Sequence, residues 1–118
     1  MATYTKMILS GSTTGMPIKV VATATIGTTI HTAVTGTSSL DEIWFYVTNT
    51  DTAARNLTIE WGAATDPDRL ICKTVSIPLS SGPTLIIPGL LLNNGLLVTA
   101  FASVANVLLL SGYVHRIA

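Results

Sequence analysis

Hydrophobic and polar residues alternate along this chain with the two-residue period of extended structure. Ile18, Val20, Ala22, Ala24 and Ile26 fall on one side of an extended segment, and Lys19, Thr23 and Thr25 on the other. Leu57, Ile59 and Trp61 alternate in the same way with Thr58 and Glu60. This is the signature of half-buried β-strands. Ile43-Trp44-Phe45-Tyr46-Val47 is apolar on both parities, as expected of a central strand covered on both faces. No segment keeps a helical stripe over about 11 residues, so no long helix is expected. Turn residues separate the apolar runs: Ser10-Gly11-Ser12-Thr13-Thr14-Gly15, Gly36-Thr37-Ser38-Ser39, Asn49-Thr50-Asp51, Asp66-Pro67-Asp68, Ser80-Ser81-Gly82-Pro83 and Asn93-Asn94-Gly95. Asn-Gly suits a tight hairpin because both residues tolerate positive φ. The predicted strands are 4–9, 18–24, 28–34, 42–48, 56–61, 70–77, 84–87, 96–102 and 107–114. Eight or nine short strands at this spacing predict an all-β, jelly-roll-like β-sandwich. It forms one domain over residues 1–118, with 1–15 read as an N-terminal arm plus the first strand.

Composition narrows the reading. Of 118 residues 48% are hydrophobic and only 10% are charged, against roughly 25% charged in an average domain. Disorder is excluded, since disordered chains are polar and highly charged. Six basic residues balance six acidic ones, so there is no electrostatic footprint for nucleic acid or an anionic membrane. Residues 74–114 contain no Asp, Glu, Lys, Arg or His, which raises the question of a membrane span. Pro78, Pro83, Pro88 and Asn93-Asn94-Gly95 interrupt that stretch, and its longest unbroken piece, 96–110, falls short of the ~20 residues needed. No apolar core follows Lys6, so no secretory leader is expected. The single cysteine, Cys72, allows neither an intrachain disulfide nor a thiolate metal cluster.

Candidate chemistry is sparse. His31 and His115 have no carboxylate or cysteine beside them in sequence, and His31 is read as a solvated or interface imidazole. Cys72, between Ile71 and Lys73, reads as a buried, inert thiol. Asp66 and Asp68, even with Glu60, fall short of the six or more oxygen ligands of a calcium site. The loop 10–15 lacks the Lys-Ser/Thr and the following helix of a phosphate loop. Asn56-Leu57-Thr58 matches a glycosylation sequon, which has no meaning without export. Trp44, Phe45, Tyr46 and Trp61 could form a sugar platform, but their strongly apolar strands favour core packing. No cofactor, no metal and no enzymatic activity are expected.

The surface is the informative part. With so few ionised side chains, the exterior must consist of Thr (19 copies), Ser, Asn, Gly and some aliphatics. Near-neutral, charge-poor domains tend to associate, and exposed apolar patches mark interaction sites. Ile86-Ile87-Pro88-Gly89-Leu90-Leu91-Leu92 is apolar on both parities, so it either lies buried between two sheets or presents leucines outward.

The second half of the chain resembles the small virion proteins of tailed bacteriophages, capsid decoration or cement proteins among them. The segments that carry the likeness are Tyr46-Val47-Thr48-Asn49-Thr50-Asp51, 55–62, Ile87-Pro88-Gly89, 97–107 and 111–117. The resemblance implies a jelly-roll-like fold, a homo-oligomer (trimer or dimer) and attachment to the major capsid protein on the capsid exterior after synthesis in the host cytoplasm. Expected contacts are the N-terminal residues Ala2, Tyr4 and Met7 and the leucines Leu90, Leu91 and Leu92. The alternatives are another virion component (fibre, tail or adaptor) and a carbohydrate- or receptor-binding jelly roll.

Overall fold

The computed structural model describes residues 3–63, 70–79 and 82–118, and it is all-β. Nine strands follow one another: β1 (Tyr4–Ile8), β2 (Ile18–Lys19), β3 (Thr28–Thr32), β4 (Leu40–Asn49), β5 (Arg55–Gly62), β6 (Leu70–Ile77), β7 (Thr84–Leu92), β8 (Leu97–Ala102) and β9 (Leu108–Ile117). Four antiparallel pairs, β1·β9, β3·β8, β4·β7 and β5·β6, make up the framework. β9 also pairs with β4, and β8 with β5. The resulting sheets have the orders β1-β9-β4-β7 and β3-β8-β5-β6, and β2 adds to β9 beyond the end of β1. A ribbon of strand pairs rolled so that successive pairs alternate between two sheets is a jelly roll. The expected sandwich is therefore the observed one.

Its core lies between the sheets. Ile43, Phe45, Val47, Ile87, Leu108, Leu110 and Val114 of the larger sheet meet Ile30, Leu57, Ile59, Ile77, Val98, Ala100 and Ala102 of the smaller. β4 alternates buried and half-buried residues along its whole length. It is central within its sheet, as expected, but only one of its faces is covered by the chain itself. The reading of Trp44 and Tyr46 as core is corrected on this point. Gly112 lets β9 lie against β4, since a Cβ there would sit 1.9 Å from the Trp44 carbonyl oxygen.

Three segments differ from their expected form. The strand expected over 18–24 stops after Lys19. From there the chain crosses to the second sheet, with Val20 N donating to Leu108 O and Ala102 N donating to Ala22 O. The strand expected over 84–87 continues to Leu92, because register shifts along β4·β7 absorb Pro88 and Gly89 without ending the pairing. The N-terminal segment from Tyr4 onward is edge strand β1 rather than a free arm. Thr3 and Ala118 extend the β1·β9 ladder by exchanging two backbone hydrogen bonds of 2.7 and 2.9 Å. Asn94 and Gly95, with φ of 61° and 66°, form a tight turn as Asn-Gly predicts, but it carries the chain from β7 in the larger sheet to β8 in the smaller one instead of closing a hairpin.

Candidate interaction face

The register of the larger sheet sorts its outward side chains into rows, because directly paired residues share a face. One row runs Tyr4, Ile117, Leu40. The next is polar: Lys6, His115, Glu42, then Leu91. A third runs Ile8, Tyr113, Trp44, Pro88, and a fourth Ser111, Tyr46, Leu85. Tyr4 is 72% exposed, Leu91 51%, Ile8 44% and Leu85 43%, while Trp44, Tyr46 and Tyr113 are half-buried. A fifth row, Lys19, Leu109, Thr48, lies at the β2 end, so charged groups occupy the second row and this outer corner of an otherwise largely aromatic and aliphatic surface.

Local contacts hold the centre of this face still. The Trp44 and Tyr113 rings stack with centroids 6.0 Å apart and 17° between planes. Trp44 Nε1 donates to Glu42 Oε1 at 3.0 Å, and His115 Nδ1 lies 3.4 Å from the same oxygen. Lys6 Nζ sits 4.7 Å above the Tyr113 ring, a cation–π contact that seats the ammonium without a carboxylate. The indole lies on Gly89, where a Cβ would fall 2.7 Å from the ring. Gly89 also has φ of 81°, so both space and backbone call for glycine.

The sequence-predicted contacts divide. Tyr4 and Leu91 lie on the outer face. Leu90, opposite Ile43 on edge strand β7, is 40% exposed. Met7 pairs with the buried Val114 and is half-buried, and Leu92 packs against the core. Ala2 lies outside the described residues, as do Asp66, Pro67 and Asp68. Sequence reasoning did not single out Lys6, Ile8, Glu42 or Leu85 for this face. Lys6 and Ile8 share the parity of Tyr4, and Glu42 that of Trp44, but Leu85 lies on β7, where register shifts change the parity, and only the register joins the strands.

Polar groups read as solvated are buried elsewhere. His31 is 1% exposed, which corrects its reading as a surface or interface imidazole. Ser10 N–H donates to its Nδ1 at 3.0 Å, so Nε2 carries the ring proton and donates to Asp41 Oδ2 at 2.8 Å. Asp41 also accepts from Val34 N (3.0 Å) and from Arg116 Nε and Nη2 (2.8 and 3.0 Å). Burial disfavours its charge, yet the Arg116 and His31 hydrogen bonds outweigh burial and hold the carboxyl below its usual range. Ser10 Oγ accepts from Thr32 N, so serine, imidazole and carboxylate here form a cross-link between loop and strands.

Glu60 is fully buried, although alternation places it on the outward side of β5. Segment 20–27 covers it. Thr25 Oγ1, Gly27 N–H (2.8 Å) and Thr99 Oγ1 (2.6 Å) all donate to its carboxylate. Burial opposes ionisation, but these donors prevail and lower its pKa. Its oxygens are therefore engaged by the protein itself. Trp61 meets Phe45 edge-on, 6.4 Å between centroids, and packs on the core. Cys72 is half-buried against the core, and burial raises its thiol pKa. Among the described residues, no three His, Cys, Asp or Glu side chains gather closely enough to hold a metal ion. None of the described helices could cross a membrane, since the described chain has none.

A second apolar area lies at one end of the sandwich. Ile26 (73% exposed) and Leu97 (42%) border a cleft also lined by Gly62, Ala63, Gly95 and Leu96. No known protein family, curated protein or solved structure matches this chain.

Proposed function

We propose that this protein is a non-enzymatic structural subunit of a bacteriophage virion, a decoration protein that binds and stabilises a shell of major capsid protein. The observation that carries the reading is the exposed aromatic and aliphatic face of the larger sheet on a chain with only 10% charged residues. Such a surface is costly in water and is favoured when neighbours cover it. A bridging subunit needs at least two contacts, and the face and the Ile26–Leu97 end lie on different parts of the molecule. The long β1·β9 ladder and the polar cross-links of His31, Asp41 and Arg116 suit a part that must transmit load rather than move. Contacts made only with the assembled shell stabilise that state by linkage.

The test is co-sedimentation of the purified protein with empty shells of the major capsid protein from the same virus. Saturable binding and a raised shell melting temperature are the expected results. Shells that melt unchanged and pellet without the protein would refute the reading. A saccharide-binding role is a second reading, favoured by the Trp44–Tyr113 stack beside Glu42, Lys6 and His115. Quenching or enhancement of tryptophan fluorescence by a glycan, lost in Trp44→Ala, would select it.

A further inference from the structure

We propose that the outer face of the larger sheet binds a second copy of this chain, the two sheets packing face to face about a two-fold axis along the β4/β9 seam. This rests on the reading above that the chain is a subunit built to be covered. It adds which neighbour covers which surface.

Three observations select a copy of the same chain. The first is electrostatic. Near the seam the face carries one anion, Glu42, and one permanent cation, Lys6, while its second cation, Lys19, lies out on β2 beside Leu109, so the axis places the two copies' Lys19 on opposite sides of the contact rather than against each other. The second is register. An axis along the seam exchanges β4 with β9, and Glu42↔His115 and Trp44↔Tyr113 are directly paired across that seam. Each pair is therefore laid on its own two-fold-related counterpart. Glu42 faces the second copy's His115, Trp44 faces its Tyr113, and like residues do not meet. An isologous contact requires this self-complementarity.

The third observation is area. β4 and β9 have ten residues each, β7 nine and β1 five. At about 3.3 Å per residue and 4.8 Å between strands, they present roughly 550 Å² before side-chain relief. That is within reach of the ~800 Å² per partner of a standard interface. Exposed residues of both edges join the contact, Tyr4 and Ile8 on β1 and Leu85 and Leu91 on β7. Aligned sheet packing of this kind also sets the spacing within sandwiches.

The experiment is sedimentation equilibrium of the full chain at micromolar concentrations, with folding of each variant verified by its β-sheet circular dichroism and melting temperature. Wild type is expected to be a dimer. The double variant Leu85→Lys/Leu91→Lys is expected to weaken it at least about tenfold, because the lysines lose solvation without gaining a partner. Ile71→Lys, equally exposed on β6 of the other sheet, is expected to leave the dimer intact. In a Cys72→Ser background, Glu42→Cys mixed with His115→Cys is expected to form cross-linked heterodimers faster than either variant alone forms homodimers. A monomeric wild type, a dimer sensitive only to Ile71→Lys, or preferential Glu42→Cys homodimers would each overturn the proposal. Shell binding is measured separately with the same proteins. A dimer that ignores shells removes the decoration role and keeps this interface, whereas a monomer that binds shells does the reverse.

Discussion

Asp41 keeps its charge inside the protein because the hydrogen bonds from Arg116, His31 and Val34 replace the water it lost. Removing that charge leaves the Arg116 guanidinium and the His31 Nε2–H facing a poorer acceptor. Asp41→Asn is expected to lower unfolding free energy by about 3 kcal/mol, read from urea denaturation with unchanged m-value. The same residue sets a pH dependence together with Glu60. Both carboxyls are held below their ordinary values of 3.8 and 4.5 in the folded protein. On acidification the unfolded chain therefore takes up protons first. The stabilisation is complete above those ordinary values and declines as pH falls below them towards the folded pKa values. Thermal melts in descending pH should show this decline, with a shallower slope in Asp41→Asn. Gly89 is a third residue-scale test. Gly89→Ala must displace the Trp44 ring, so tryptophan emission should shift and stability should fall, by about 1–3 kcal/mol.

At the scale of elements, the least regular part of the chain does specific work. Segment 20–27 leaves the larger sheet, passes over the smaller one and is fastened there by Glu60. Gly27 runs so close to β8 that a Cβ would stand 2.3 Å from the Ala100 carbonyl oxygen. Thr28 Oγ1 accepts from Val21 N and Ala22 N, which finishes the bend. Glu60→Gln keeps the volume but turns an amide N–H₂ towards donors. The expected result is a loss of about 2 kcal/mol and faster hydrogen exchange at the Gly27 amide, with the β4 and β9 amides unaffected. The Asn49-Thr50-Asp51 turn works similarly. Buried Asn49 donates to Ala53 O and Ile77 O, each at 3.0 Å, and accepts from Asp51 N. A residue that reads as a turn former thereby ties the β4–β5 turn to the end of β6.

At the scale of the whole molecule, extents of 48 × 28 × 21 Å describe a flattened sandwich with one large face left bare. If two copies close on that face, their distal ends are free to engage the shell together. The second engagement is then intramolecular, and avidity can exceed single-site affinity by ~10²–10⁴. The dimer-breaking variant Leu85→Lys/Leu91→Lys is accordingly expected to weaken shell binding by at least about tenfold while the variant's own fold persists. Titration of shells with wild type and variant measures the ratio. Equal apparent affinities would mean that the subunits bind independently.

The all-β class and most strand centres were legible in the sequence because a two-residue period and Gly/Asn/Pro punctuation act locally. Alternation in 18–26 was legible too, yet misleading: small Ala and Thr residues repeat equally well in a segment lying close over another sheet. What the sequence could not reveal involves partners far apart in the chain. His31 meets Asp41 ten residues on, and Arg116 meets Asp41 across 75. Such pairs form only when the ribbon rolls, and only then does a polar residue become a buried, ionised one. The same holds for Trp44 and Tyr46. Their sequence states that they are apolar, which is an affinity for being covered. Whether the cover is the protein's own second sheet or another molecule is decided by which face the rolled sheet turns inward.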